Sequence, residues 1–114
     1  MASRTDTSTL ELSLDGDRAV VLLPHPRFGT VEREAEDEHL VSLLAQLPQD
    51  QLSLDFRKVS FLTSLGLAML ITLHKRLTGQ GRRLVLINLQ PHVYELFSVT
   101  YLNTLLDVRL QEAA

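Results

Sequence analysis

The amino-acid sequence predicts a single α/β domain built on a mixed β-sheet. Two observations carry this prediction: a β-hairpin pattern opens the chain, and helical and strand patterns alternate after it. A hairpin contributes antiparallel strands, whereas strands separated by helices pair in parallel through right-handed crossovers. The length of 114 residues suits one domain, because it is long enough to bury a core and short for two.

The opening hairpin is predicted from two short apolar patterns. Leu10, Leu12 and Leu14 alternate with polar residues, which is the period of a strand with one solvent-exposed face and indicates an edge strand. The pair Asp15-Gly16 favours a turn, since glycine tolerates a positive φ angle. The apolar run at 19–23 then predicts a second, more buried strand.

The first helix is predicted after a proline-containing loop. Residues 24–29 cannot continue a strand ladder because proline lacks an amide donor, so the helix is expected to start near Thr30 and to end before Pro48. Acids in its first turns complement the positive end of the helix dipole and are interpreted as a solvated face, with contact to a basic partner as the alternative. The acids are Glu32, Glu34, Glu36, Asp37 and Glu38. The leucines expected to face the core at helical spacing are Leu40, Leu43, Leu44 and Leu47.

The rest of the chain alternates between strands and helices. The predicted elements are a strand at 51–56, a helix at 65–78 that ends at Gly79, a fully buried strand at 84–87, a helix from Pro91 to about Thr100, a helical turn at 102–106 and a short strand at 107–110. Together with the hairpin they predict parallel strands whose crossover helices pack on the sheet.

Composition excludes several classes of function. Without cysteine the chain has no disulfide, catalytic thiolate or cysteine-ligated zinc, which suits a reducing compartment. The net charge of −3 provides no basic footprint for nucleic acid. The polar start lacks the apolar core of a secretory signal, and no uncharged run reaches the roughly 18 residues of a membrane span. We therefore expect a cytoplasmic protein without direct membrane insertion.

Neither a metal site nor a cofactor site is expected. The histidines, His25, His39, His74 and His92, include no i, i+4 pair and have no cysteine companions. The glycines at 79 and 81 follow a helix and precede a strand, which is the wrong order for a dinucleotide-binding loop. Because no nucleophile stands beside a general base and no acid pair is evident, the chain is not expected to be an enzyme.

Ser64 is the leading candidate for a functional residue. It follows a strand and loop and precedes an apolar helix, so it is predicted to be the N-cap, at a helix end that favours anions. The N-terminal turn of this helix, Ser64 to Gly66, is called the corner below. Gly66 is expected to leave the corner open to another protein's active site. A phosphate on Ser64 would add about −1.5 to −2 charges without unfolding the helix. From the residues alone, a plain helix cap is the simpler interpretation.

The stretch from Leu54 to Leu70 reads LDFRKVSFLTSLGLAML and resembles the signature of STAS domains, the family of bacterial anti-sigma factor antagonists. The family's order and spacing continue at 74–77, 79–81, 84–88 and 98–106, so the resemblance covers about residues 9 to 110. It implies a flexible N-terminal tail at 1–8, a single STAS-like domain at 9–110 and a C-terminal tail at 111–114.

The resemblance also implies a phosphorylation site. The family motif usually reads Asp-Ser-Ser-Gly or Asp-Ser-Thr-Gly, and its first serine, which a partner kinase phosphorylates, corresponds to Ser64. Thr63 stands at the usual acidic position and is a weaker candidate for modification. Gly29 stands where a loop often carries Asp, and Tyr101 replaces a common Gly. In the family, the two lost acids help partner or kinase recognition.

A partner-binding surface is predicted at this corner and along the helix that follows it. Its shoulder is small and partly apolar and includes a methionine, whose side chain adapts its shape to a partner. The predicted partner-binding residues are Ser64, Leu65, Gly66, Ala68, Met69 and Thr72. Asp55 ends the central strand near the same edge, where it is expected to hydrogen-bond to the following loop, with a direct role as the alternative.

The function that the resemblance implies is a non-enzymatic regulatory switch. Unmodified Ser64 permits binding to an anti-sigma factor and serine kinase of the GHKL type, the kinase transfers phosphate from ATP, the phosphoprotein dissociates, and a cognate phosphatase resets it. The alternative is an unphosphorylated STAS scaffold subunit of a larger assembly such as an ABC lipid-transport complex, which Thr63 favours. A small-molecule or nucleotide-binding module, the third class, normally has a glycine-rich loop that is absent here.

Overall fold

The computed structural model describes residues 11–111. The predicted tail at 1–8, Leu10, and all but the first residue of the predicted tail at 111–114 lie outside the described residues. Along the chain the elements are β1 (Glu11–Asp15), β2 (Arg18–Leu22), β3 (Arg27–Phe28), α1 (Glu34–Ala45), β4 (Gln51–Asp55), β5 (Phe61–Leu62), α2 (Ser64–Thr78), β6 (Arg83–Ile87), α3 (Pro91–Val99) and β7 (Asp107–Val108).

The main sheet has five strands in the spatial order β1-β2-β4-β6-β7. β1 pairs antiparallel with β2, and the other neighbours pair in parallel. This arrangement confirms the predicted α/β class with a mixed sheet. The turn residues of the hairpin are Gly16 and Asp17, with Gly16 at φ +62°. β1 is the predicted edge strand, and Leu14, which faces the core side, remains 61% exposed because nothing pairs beyond it within the described residues.

All three α-helices lie on one face of the sheet. The parallel strands β2, β4, β6 and β7 follow one another across the sheet in chain order. Because the crossovers between them are right-handed, every connecting helix lies on the same face. The buried side chains of this face form one cluster with those of the helices. It includes Val21, Leu54, Leu86, Leu70, Leu73 and Phe97.

The loop at 24–29 contains a short strand that the sequence did not predict. β3 pairs in parallel with β5 to form a separate two-stranded sheet. The prolines lack amide donors, but their carbonyls still accept: Pro26 O accepts from the backbone amides of Ser60 and Phe61 at 2.9 and 3.1 Å. The prediction that this loop cannot join a strand ladder is therefore wrong at Arg27–Phe28.

The first helix begins with a 3-10 turn at Val31–Arg33 and continues as α1. The predicted apolar stripe is wrong at Leu43, which is 41% exposed. The interpretation of the acids as a solvated face is wrong at Asp37, which is 2% exposed. The inward face is rotated by about one position toward the C-terminus relative to the prediction, so Val41 and Ala45 lie on it together with Asp37, Leu40 and Leu44.

The C-terminal half agrees closely with the predicted elements. α2 ends at Thr78 as expected, but Gly79 keeps right-handed backbone angles, and the left-handed residue is Gly81 at φ +74°. A 3-10 turn at Leu102–Thr104 replaces the predicted longer helical turn. Among the described residues, no helix combines the length and apolar character needed to cross a membrane.

Candidate functional site

Thr63, not Ser64, is the N-cap of α2. Its backbone is extended, and its side-chain oxygen accepts a hydrogen bond from the backbone amide of Gly66 at 3.0 Å. Ser64 is the first residue of the helix and is exposed to solvent. The prediction of Ser64 as the cap is therefore wrong by one position. A capping oxygen commonly accepts from the amide three residues later, and the residue three before Gly66 is Thr63. The Ser64 hydroxyl has no part in the cap.

Gly29 and Gly66 meet in a close contact behind this corner. The Thr63 hydroxyl donates to the carbonyl oxygen of Gly29 at 2.6 Å, and Gly29 has a left-handed backbone with φ +86°. A Cβ atom at Gly29 would lie 2.3 Å from the nitrogen of Gly66, and one at Gly66 would lie 2.9 Å from the carbonyl oxygen of Phe28. Gly66 is buried, so the expectation that it leaves the corner open to a partner is wrong.

The buried carboxylate of Asp37 belongs to the same corner, and sequence reasoning missed it. Its Oδ2 accepts from the backbone amide of Gly29 at 2.8 Å, and its Oδ1 lies 3.6 Å from Nε of Arg33. A signal was available, because Asp37 precedes Leu40 and Val41 by three and four residues and so shares their inward face.

The solvent-exposed part of the predicted partner-binding surface on α2 is narrower than predicted. Ser64, Ala68 and Thr72 are exposed at i, i+4 and i+8 and therefore lie on one face, with Leu65 half-buried at its margin. Met69 is only 7% exposed and belongs to the core, so its predicted role as a surface contact is wrong. The reason is its register on α2, whose buried residues are Gly66, Met69, Leu70, Leu73 and Leu77.

Two exposed apolar side chains stand in the segments beside Ser64. Phe61 in β5 is 46% exposed, and the guanidinium carbon of Arg27 lies 4.8 Å from the centroid of its ring. Val31, two residues beyond Gly29, is 83% exposed. The loop carrying Val31 is tied to the α2 N-terminus through the Gly29–Thr63 hydrogen bond, so both apolar side chains belong to segments that border the corner.

Asp55 lies at the end of β4 and bonds to the loop that follows. Its carboxylate accepts from the backbone amide of Arg57 at 3.0 Å and from Nε of the same residue at 2.9 Å. Burial raises the pKa of Asp55, but the hydrogen bonds from Arg57 and Asn88 outweigh burial and hold that pKa below its ordinary value. The expected hydrogen bond to the loop is present, and a direct role stays a prediction.

The described residues contain no group of three or more histidine, aspartate or glutamate side chains that could hold a metal ion. The histidines near the corner make local hydrogen bonds instead. His25 Nδ1 accepts from the amide of Arg27 at 3.2 Å, and His92 Nε2 lies 2.8 Å from the carbonyl oxygen of Ser60.

Solved structures with the same fold include anti-sigma factor antagonists. An anti-sigma-factor antagonist (STAS) domain protein from Planctomyces limnophilus is 16% identical with a TM-score of 0.75, over 90% of this chain and 91% of that one. The Bacillus cell fate determinant SpoIIAA in its phosphorylated form is 17% identical with a TM-score of 0.62, over 87% of this chain and 89% of that one.

A transporter also contains this fold. The murine Solute Carrier 26 family member A9 anion transporter is 21% identical with a TM-score of 0.60, over 76% of this chain and 14% of that one. No curated protein matches the sequence significantly. The family model described as "Mlab, STAS domain" matches residues 33–107, which extend from the turn before α1 to the start of β7 and make up well over half of the chain. The chain therefore belongs to the STAS domain family.

Proposed function

We propose that this chain is a regulatory protein-binding module of the anti-sigma factor antagonist type, and that phosphorylation of Ser64 controls the binding of its partner. The observation that carries the proposal is the position of Ser64, exposed at the first residue of α2, while Thr63 performs the capping. Capping by Thr63 leaves the Ser64 hydroxyl available to a partner's active site.

A phosphate at this position is compatible with the fold. The first turn of a helix carries unpaired amides and the positive end of the dipole, both of which favour an anion. Phosphorylation would add about −1.5 to −2 charges to the exposed face of α2. A partner that binds the neutral face would then be released while the domain stays folded.

The proposed partner-binding surface consists of Ser64, Ala68 and Thr72 on α2, bordered by Phe61 and Val31. Small side chains on the helix let a partner approach its backbone closely, and the two exposed apolar side chains contribute area to be buried. Leu65 lies at the margin, and Gly66 and Met69 support the surface from behind.

The proposed partner is an anti-sigma factor that is also a serine kinase of the GHKL type, with a cognate phosphatase that removes the phosphate. In this scheme ATP binding and phosphate transfer belong to the partner, and the chain supplies only the acceptor hydroxyl. It acts as a substrate and binding module in the cytoplasm, with neither a cofactor nor a catalytic group of its own.

A second candidate is a STAS subunit without a phosphorylation switch, in an assembly such as an ABC lipid-transport complex. Thr63 favours this candidate because it supplies no negative charge at a position where the antagonists usually have an acid. The description of the matching family model, "Mlab, STAS domain", does not mention an antagonist.

Copurification from the native host tests the switch. Wild type and Ser64→Ala are expected to retain a partner that Ser64→Asp releases, because the aspartate places a negative charge on the binding face. Ser98→Asp, at an exposed serine of α3, is the matched control for added charge and is expected to retain the partner.

Intact-mass and peptide mass spectrometry of the native protein locate any phosphate. Equal recovery of the partner by all four proteins, with no phosphate on Ser64, would exclude the switch. If the retained partner is then an ATPase subunit of a transporter, the second candidate replaces the first.

A further inference from the structure

The carboxylate of Asp37 is buried in α1, where an apolar side chain would be the usual occupant. It is 2% exposed, and removing a carboxylate from water is costly unless the charge is paired and hydrogen-bonded. Arg33 supplies a partial counter-charge at 3.6 Å. The shorter contact, 2.8 Å, goes to a backbone amide in another segment, that of Gly29.

That amide begins a continuous path of hydrogen bonds to the helix that carries Ser64. Asp37 accepts from the Gly29 amide, the Gly29 carbonyl accepts from the Thr63 hydroxyl at 2.6 Å, and the Thr63 oxygen accepts from the Gly66 amide at 3.0 Å. The path joins the N-terminal turns of α1 and α2 through one peptide loop. On α2 it includes Thr63, the residue before Ser64, and Gly66, two residues after it.

We propose that Asp37 is a positioning residue for Ser64. Its carboxylate holds Gly29 against the first turn of α2, and Gly29 in turn orients the Thr63 hydroxyl that caps this turn. The position in which Ser64 is presented to a partner therefore depends on a side chain from a different helix. The part of this inference that concerns partner binding rests on the proposed function, whereas the part that concerns the order of the α2 turn stands alone.

The packing of Gly29 explains why a distant acid is used. Gly29 has room for no side chain, since a Cβ atom would collide with Gly66 and with the Thr63 hydroxyl. The loop therefore cannot anchor itself through a side chain at this point. A hydrogen bond from its backbone amide is the available attachment, and a carboxylate acceptor makes that hydrogen bond stronger than a neutral acceptor does.

Amide hydrogen exchange measured by NMR on the isolated protein tests the path. In Asp37→Ala, the exchange rates of the Gly29 and Gly66 amides are expected to rise about tenfold or more, because the Gly29 amide loses its acceptor and the Thr63 hydroxyl that accepts from Gly66 loses the group that orients it. Asp37→Asn keeps an oxygen acceptor and is expected to restore most of the protection at both amides. Glu38→Ala, at an exposed acid next to Asp37 on α1, is the control and is expected to match wild type.

The Leu86 amide in β6, a strand paired on both sides, serves as the reporter of global stability. Faster amide exchange at Gly29 with no change at Gly66 would overturn the proposal, because Asp37 would then anchor only the loop that carries Gly29. Equal acceleration at Gly66 and Leu86 would also overturn it, since the effect would be a general loss of stability.

Binding to the protein that copurifies with Ser64→Ala gives the functional measurement. Asp37→Ala is expected to weaken this binding about tenfold, while Asp37→Asn and Glu38→Ala stay close to wild type. If Ser64→Asp releases the partner but Asp37→Ala binds like wild type, the positioning role fails and the switch stands. If Ser64→Asp has no effect, the switch fails, and the exchange rates alone decide the structural role of Asp37.

Discussion

At the scale of single residues, two departures from the family motif have structural explanations. Thr63 stands where an acid is usual, but threonine and aspartate both cap helices well, so the change keeps the cap and loses the charge. Its hydroxyl is engaged by Gly29 and Gly66, which argues against Thr63 as a phosphoacceptor. Gly29 replaces an acid because no side chain fits against α2.

Replacing Gly29 with alanine should destabilise the protein far more than the same change at Gly16. Both glycines have positive φ angles, +86° and +62°, but a Cβ atom meets Gly66 at Gly29 and open space at Gly16. The left-handed backbone alone costs alanine about 1–2 kcal/mol. Chemical denaturation of the two variants should therefore give a larger loss of unfolding free energy for Gly29→Ala. Similar losses would mean that the loop moves away from α2 without cost.

At the scale of elements, Arg82 ties the end of α1 to the loop before β6. The last carbonyls of a helix lack partners within that helix. The Arg82 guanidinium donates to the carbonyl oxygens of Ala45 at 3.2 Å and Gln49 at 2.8 Å, and also to that of Leu47. One side chain thus holds both the C-terminus of α1 and the loop that leads to β4.

Arg82→Lys is expected to lower the free energy of unfolding by about 1–3 kcal/mol, because one ammonium group cannot reach carbonyls that a planar guanidinium contacts together. The control is Arg83→Lys, which alters an exposed ion pair with Asp107 at 3.3 Å and should change stability by less than about 1 kcal/mol. Thermal or urea unfolding compares the two variants. A smaller effect at Arg82 than at Arg83 would contradict this account of the α1 terminus.

At the scale of the whole molecule, the parallel direction of β4 and β6 places the corner with Ser64 and the side chain of Arg82 at opposite ends of the strands. The corner with Ser64 lies at the edge where β4 and β6 end, which is where parallel sheets place functional groups. Arg82 lies at the opposite edge, before β6. The order of strands places the three α-helices on one face, so α2 keeps one side in the core and turns Ser64, Ala68 and Thr72 outward.

The stability of the whole domain should fall in acid partly through Asp55. Because hydrogen bonds from Arg57 and Asn88 hold the pKa of Asp55 below its ordinary value despite burial, its folded form binds a proton less readily than its unfolded form. The stabilisation is present above the ordinary value of about 3.9 and is lost as pH falls through the lower folded pKa. Asp55→Asn should therefore flatten the dependence of unfolding free energy on pH below about pH 5.

Asp50→Asn, at an exposed acid on the opposite edge, is the control for the loss of one negative charge. Urea denaturation across a series of acidic pH values gives the slope of unfolding free energy against pH for each protein. The same slope for wild type and Asp55→Asn would show that Asp55 does not contribute to acid sensitivity.

The sequence by itself determined the hairpin, the alternation of strands and helices and the position of Ser64 at the start of α2, because these follow from turn residues and apolar periods within short segments. Only the tertiary structure decided that Thr63 caps the helix, that Asp37 is buried and that Met69 belongs to the core. The cap itself is a local hydrogen bond, but the contact of Thr63 with Gly29 joins segments far apart in the chain. The burial of Asp37 and Met69 depends on the exact rotation of each helix about its axis. Local patterns predict that a helix has an inward face, but the partner segments select which side chains lie on it.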